Sequence, residues 1–195
     1  MKKWSFVLGV GCVFLLNGLF TSSFAQNEQD YLREANTFYK RYEYSKNKED
    51  LEKAFLCFYK SAQVSPTLES YLGMGKIFVE KNMHANAKKY LYRALSIDKN
   101  DGFTNYYLAI LAYLNEEYVK ALDLFKIAYQ NGLADNYDVN LKLATIYEKV
   151  GDFELAKTFY STAMAIDAND SNSKNNLKNI DELELTKNKY FENLN

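Results

Sequence analysis

Histidine is nearly missing from this sequence: among 195 residues there is one, His84. A Ser–His–Asp arrangement therefore has a single possible base. A zinc site, which usually takes four ligands of the His and Cys types, cannot be assembled. Cysteine is almost as scarce. Of the two, Cys12 lies in an apolar run at the start of the chain and Cys57 in its body. Once that start is removed Cys57 is alone, so no intramolecular disulfide can form and the fold must rest on packing. There is one proline, Pro66, no glycine-rich phosphate loop behind a strand, and no strand pattern. Charge of one sign is missing too. Lys and Arg number 24 against 25 Asp and Glu, with no basic block, which argues against nucleic acid as a partner. These shortages point away from an enzyme, a bound metal and a cofactor.

The chain opens on Met1-Lys2-Lys3, continues through a nearly unbroken apolar stretch from Trp4 to Phe20, and then reaches the small residues of Thr21 to Ala25. Basic, apolar and small-residue regions in that order make a secretory signal peptide, residues 1–25, with cleavage expected after Ala25. The alternative is an anchor that stays in the membrane. A span needs ~20 apolar residues, and Gly9, Gly11, Asn17 and Gly18 interrupt this one, so no stable membrane insertion is expected after cleavage. Cys12 sits inside the apolar region instead of after it, a poor match to a lipoprotein signal. Cleavage removes Lys2 and Lys3 and no acid, moving the formal charge from −1 to −3. The expected location is the periplasm or the exterior.

What is abundant is a repeat. Ala87, Ala121 and Ala156 are spaced by 34 and then 35 residues, and another Ala follows each by seven: Ala94, Ala128 and Ala163. Between them, four residues on, stand Leu91, Phe125 and Tyr160; twelve residues before the anchors come Gly75, Ala109 and Ala144, each preceded by a large apolar residue. Phe78, Ala112 and Tyr147 precede the anchors by nine, and His84, Tyr118 and Phe153 by three. His84 thus occupies a packing position.

This spacing resembles the tetratricopeptide repeat, best in Leu143-Ala144 through Tyr147, Gly151-Asp152-Phe153, Ala156, Tyr160 and Ala163. The resemblance implies an all-α solenoid of helical hairpins, in which small residues sit where two antiparallel helices cross and aromatics fill the space beside them. Three repeats are clear, 68–101, 102–136 and 137–170. A lengthened, divergent one covers 26–67: Ala54, Phe58, Ser61, Ala62 and Pro66 reproduce a second helix and its end. Its first helix is expected from about Gln29 to Tyr44, with Tyr31, Ala35 and Phe38 on one face. Residues 171–195 read as a polar capping helix starting at Ser171, with the tail frayed from about Phe191. Acid pairs Glu49-Asp50, Glu116-Glu117 and Asp181-Glu182 fall in turns or on the cap helix, and the first two are explained by the preference of helix N-termini for acids. Cys57, between Phe55 and Phe58, is expected to be inert packing.

The family resemblance also implies a protein or peptide partner in a concave groove lined by the first helix of each repeat. The groove positions here are Phe103, Tyr106, Ile110 and Tyr113 in the middle repeat, Glu69, Leu72, Lys76 and Val79 before it, and Asp138, Leu141, Thr145 and Glu148 after it. Tyrosines are so numerous, 17 in all, that some of these rings are equally open to a packing role. The positions at which relatives clamp an acidic C-terminus carry Leu72, Lys76, Tyr107, Asp138 and Lys142, lacking the asparagines, so that ligand is not expected. The implied function is a non-enzymatic interaction scaffold of a bacterial envelope. The alternative is a structural subunit of an envelope or secretion assembly, using its convex face or first helix. Self-association is left open.

Overall fold

The computed structural model describes residues 28–192; the expected leader and its cleavage point lie outside them. Nine α-helices follow one another, with no strand among the described residues. They are α1 (28–45), α2 (Lys48–Val64), α3 (Leu68–Glu80), α4 (His84–Ile97), α5 (Gly102–Leu114), α6 (Tyr118–Ala128), α7 (Tyr137–Val150), α8 (Phe153–Ile166) and α9 (Ser171–Glu192). None of them is long and apolar enough to cross a membrane.

The helices start where side chains satisfy their free amides. Asn47 accepts from the Glu49 amide, with Glu49 and Asp50 placed in the first turn of α2. Thr67 and Ser70 form a reciprocal capping box at α3. Asp101, Asn136 and Asp152 accept from the Thr104, Val139 and Leu155 amides at the heads of α5, α7 and α8. At α9 the cap is Asp170, one residue before the Ser171 that the sequence pattern nominates. Its carboxylate accepts from the amides of Asn172 (3.0 Å) and Ser173 (3.1 Å). Burial works to raise its pKa, but hydrogen bonds from Ser173, Tyr137 and the Asn172 amide outweigh it and hold the carboxyl below its ordinary value. The helix runs to Glu192, just past the expected fraying point.

The chain divides into two compact units between Ile97 and Asp98. In the first, α1 with α2 and α3 with α4 enclose Ala35, Tyr39, Tyr42, Leu51, Ala54, Phe58, Met74 and Ile77. The inward face of α1 is therefore Ala35, Tyr39 and Tyr42, with Tyr31 and Phe38 only half-buried; the extra residues of this repeat leave the helix phase to be decided by packing. Arg41 of α1 reaches the buried carboxylate of Asp50 on α2 at 3.3 Å. A Cβ on Gly75 would stand 2.6 Å from Leu91 Cδ2, which is why the crossing position is small. Cys57 is buried, and burial first, then Glu34, pushes its thiol pKa up, so it holds little thiolate, the reactive form.

In the second unit α5 with α6, α7 with α8, and α9 surround Ala109, Ala121, Phe125, Leu143, Ala144, Ile146, Ala156, Tyr160 and Ile180. The anchors Ala121 and Ala156 and the aromatics Phe125 and Tyr160 have no exposed surface; burying such a ring contributes about 1.5–3 kcal/mol. The 35-residue spacing between these anchors has a local cause. A π-type turn, Tyr129–Leu133, follows α6, with Gly132 in the left-handed region at φ 95°.

Candidate functional site

The first helices of the repeats carry the residues that the sequence nominates. In the first unit these are Leu72 and Lys76 on α3, both half-buried. Lys76 Nζ lies 4.3 Å from the centre of the Tyr39 ring on α1. Burial lowers its pKa from the ordinary lysine value, while Glu43 and Glu80 pull it back up. Beside it Tyr42 donates to Glu80 Oε2 at 3.1 Å, and Asn36 donates to Glu69 Oε1. The face between α1 and α3 is thus a small set of interlocked rings and charges.

The other six lie in the second unit. Phe103, Tyr106, Ile110 and Tyr113 recur every three or four residues along α5, which places them on one helical stripe. Phe103 is the open end of that stripe, 52% exposed. Tyr106 is half-buried: its ring meets Tyr107 and Phe125 edge-on, and its hydroxyl donates to Asp138 Oδ2 of α7 at 2.6 Å. Ile110 and Leu141 pack on the core cluster. Tyr113 stands edge-on to Tyr118, with Lys142 Nζ 4.8 Å from its ring centre. Both tyrosines therefore serve packing as well as surface.

Thr145 turns its hydroxyl to the Leu141 carbonyl, and the Tyr160 hydroxyl lies 3.4 Å away. That hydroxyl donates to Glu148 Oε2 at 2.6 Å and accepts from Asn176 of α9 at 2.9 Å. Burial and the Glu148 bond push its pKa up to about 12. The result is a row of rings flanked by Asp138, Lys142 and Glu148. His84 is half-buried at its packing position, and no group of three or more His, Cys, Asp or Glu among the described residues could hold a metal.

Sequence inspection does not single out Asn105 and Asn140, both buried. Each donates twice to backbone carbonyls of the turn before its helix, Lys99 and Asp101 for one, Ala134 and Asn136 for the other. Their shared place, four residues before Ala109 and Ala144, is the signal that would have found them.

The family model described as the tetratricopeptide repeat matches residues 68–101 and 137–170. Those two segments are tetratricopeptide repeats. Residues 102–136 fall outside those matches and fold as the same helical pair. Solved tetratricopeptide structures share the architecture. PilF of Pseudomonas aeruginosa superposes with a TM-score of 0.67 at 14% identity, over 84% of this chain and 72% of that one. MamA gives 0.60 at 20% identity, over 70% and 80%. YrrB, described as a TPR protein with an unusual peptide-binding site, gives 0.64 at 19% identity, over 85% and 83%. At such identities the likeness is one of fold. Among curated protein sequences nothing matches.

Proposed function

We propose that this tetratricopeptide-repeat protein is a non-enzymatic scaffold exported to the bacterial envelope, where the α5–α7 face of its second unit holds a segment of another protein. Tetratricopeptide repeats are interaction modules, and YrrB is described as binding a peptide. The observation that carries the reading is the stripe from Phe103 to Tyr113, aromatic and apolar, bordered by Leu141 and Thr145. Tyr and Phe anchors of this kind dominate binding hot spots. The basic, apolar and small-residue order of residues 1–25 supports export.

The test is capture from the native envelope, with the bait sequenced from its N-terminus. Phe103→Glu is the cleanest variant, because Phe103 is exposed while Tyr106 and Tyr113 also carry packing. The expected result is a bait beginning at Gln26 and a partner set lost on Phe103→Glu and on Tyr106→Ala/Tyr113→Ala. A bait beginning at Met1 overturns the export reading, and equal capture by all three proteins overturns the face.

A second reading, a structural subunit of an envelope or secretion assembly, is favoured by the exposed rings of the first unit. Tyr44 at the end of α1 is 96% exposed, and Leu56, Tyr59 and Tyr92 on α2 and α4 are about half exposed. In the same capture, Tyr59→Ser with Tyr92→Ser would then abolish the partners that Phe103→Glu leaves in place.

A further inference from the structure

The second unit contains a second cleft, away from the α5 stripe, between α6 and α8 over the end of α7. Tyr129, Leu143, Tyr147, Leu155 and Phe159 line it, with Lys126 and Gln130 at its rim, and this open cleft has a volume of about 230 Å³. That is smaller than the ~300–1,000 Å³ of a typical small-molecule site and suits one large side chain. Its wall is a stacked pair, Tyr147 on Phe159, with centres 5.6 Å apart and planes 6° from parallel; Tyr129 meets Phe159 edge-on at 5.6 Å.

The first unit contains the same pair at the same repeat positions. Phe78 stacks on Tyr90 at 5.5 Å and 8°. There a ring of the preceding helix lies against Phe78, the position at which the second unit has Lys126 over Tyr147. Phe55 of the preceding helix meets Phe78 edge-on at 5.3 Å, and Tyr59 stacks on Phe55. Counted from the anchors Ala54 and Ala121, the residues corresponding to Phe55 and Tyr59 are Leu122 and Lys126. The second unit thus has a smaller side chain and a cation where the first has two rings. Lys126 is the one charged residue lining the cleft, and its Nζ lies 5.6 Å from the Tyr147 ring centre.

We infer that this cleft is a docking site for an aromatic side chain carried on an acidic segment of a partner protein. The first unit shows what fits over a stacked pair of this kind, an aromatic ring. Lys126 supplies the charge that selects carboxylates beside that ring, since rim charges set partner preference by complementarity. The site is independent of the α5 stripe and needs no free C-terminus.

The test is calorimetric titration of the full chain with a blocked hexapeptide in which one phenylalanine is flanked by glutamates, C-terminally amidated. Its companions carry lysines or serines in place of the glutamates. Wild type should bind the acidic peptide at least about tenfold more tightly than the serine and lysine peptides, a difference of ~1.4 kcal/mol. Lys126→Glu, an exposed change, should reverse that order. Leu155→Glu, at a partly exposed lining position, should abolish binding with helicity by circular dichroism unchanged. Phe103→Glu should leave binding as it is, which separates this site from the α5 face. Equal binding of the acidic and serine peptides overturns the proposal, as does unchanged selectivity in Lys126→Glu. Loss of binding in Phe103→Glu places the peptide on the other face and overturns it too. So does concentration-dependent self-association of the chain that Lys126→Glu abolishes, because the occupant would then be a second copy.

Discussion

Tyr160 joins three helices through one hydroxyl: it sits on α8, donates to Glu148 of α7 and accepts from Asn176 of α9. Removing it in Tyr160→Phe should cost about 1.5–3 kcal/mol, the usual range for a hydrogen bond to a charged group, as read by chemical denaturation. The raised pKa adds a pH signature. A group whose folded pKa lies above its unfolded one contributes stability that is complete below the unfolded value, here the ordinary tyrosine value of 10.0, and is lost as pH rises through the folded value of about 12. Wild type should lose stability between those two values more steeply than Tyr160→Phe; parallel curves would contradict the assignment.

At this scale the sequence was legible wherever the repeat fixes the register. Ala87, Ala121 and Ala156, and the crossing residues Gly75, Ala109 and Ala144, are all buried. It was less legible where chemistry is degenerate: Asp and Ser both cap helices, so Asp170 and Ser171 differ only by tertiary fit. The candidate stripe on α5 could be read as a stripe. That the Tyr106 hydroxyl is committed to Asp138 could not, because it depends on how α7 lies beside α5.

Among the elements, the turns inside the four helical pairs share one device. Each places a residue in the left-handed region: Lys46 at φ 55°, Asn82 at 54°, Glu116 at 59° and Gly151 at 84°. Only the last is glycine, the residue that adopts this conformation without steric cost. For other residues the left-handed region costs roughly 1–2 kcal/mol, against about 0.5–1 kcal/mol of extra chain entropy lost by glycine on folding. Glu116→Gly should therefore raise the unfolding free energy by about 0.5–1 kcal/mol, and Gly151→Ala should lower it by about 1 kcal/mol, each read as a shifted denaturation midpoint with an unchanged slope. A stabilised Gly151→Ala would contradict this account. The first helix was the least legible element. Its added residues preserve an apolar face, but several phases satisfy the pattern, and burial of Tyr39 and Tyr42 chose among them.

For the whole molecule, the shortage of histidine and cysteine and the regular repeat lead to the same account. Packing of small and aromatic residues builds two helical units, and the surfaces proposed for function are the α5–α7 face and the cleft between α6 and α8. The most direct measurement of the central claim is a photo-crosslink made in living cells. A photoreactive amino acid at Phe103, on the open end of the stripe, should trap one partner in an adduct of defined mass. The same group at Val119 on α6, 74% exposed, should trap little. Equal adducts from both positions, or an adduct from Val119 alone, would contradict the assignment of the α5–α7 face as the surface that holds the partner.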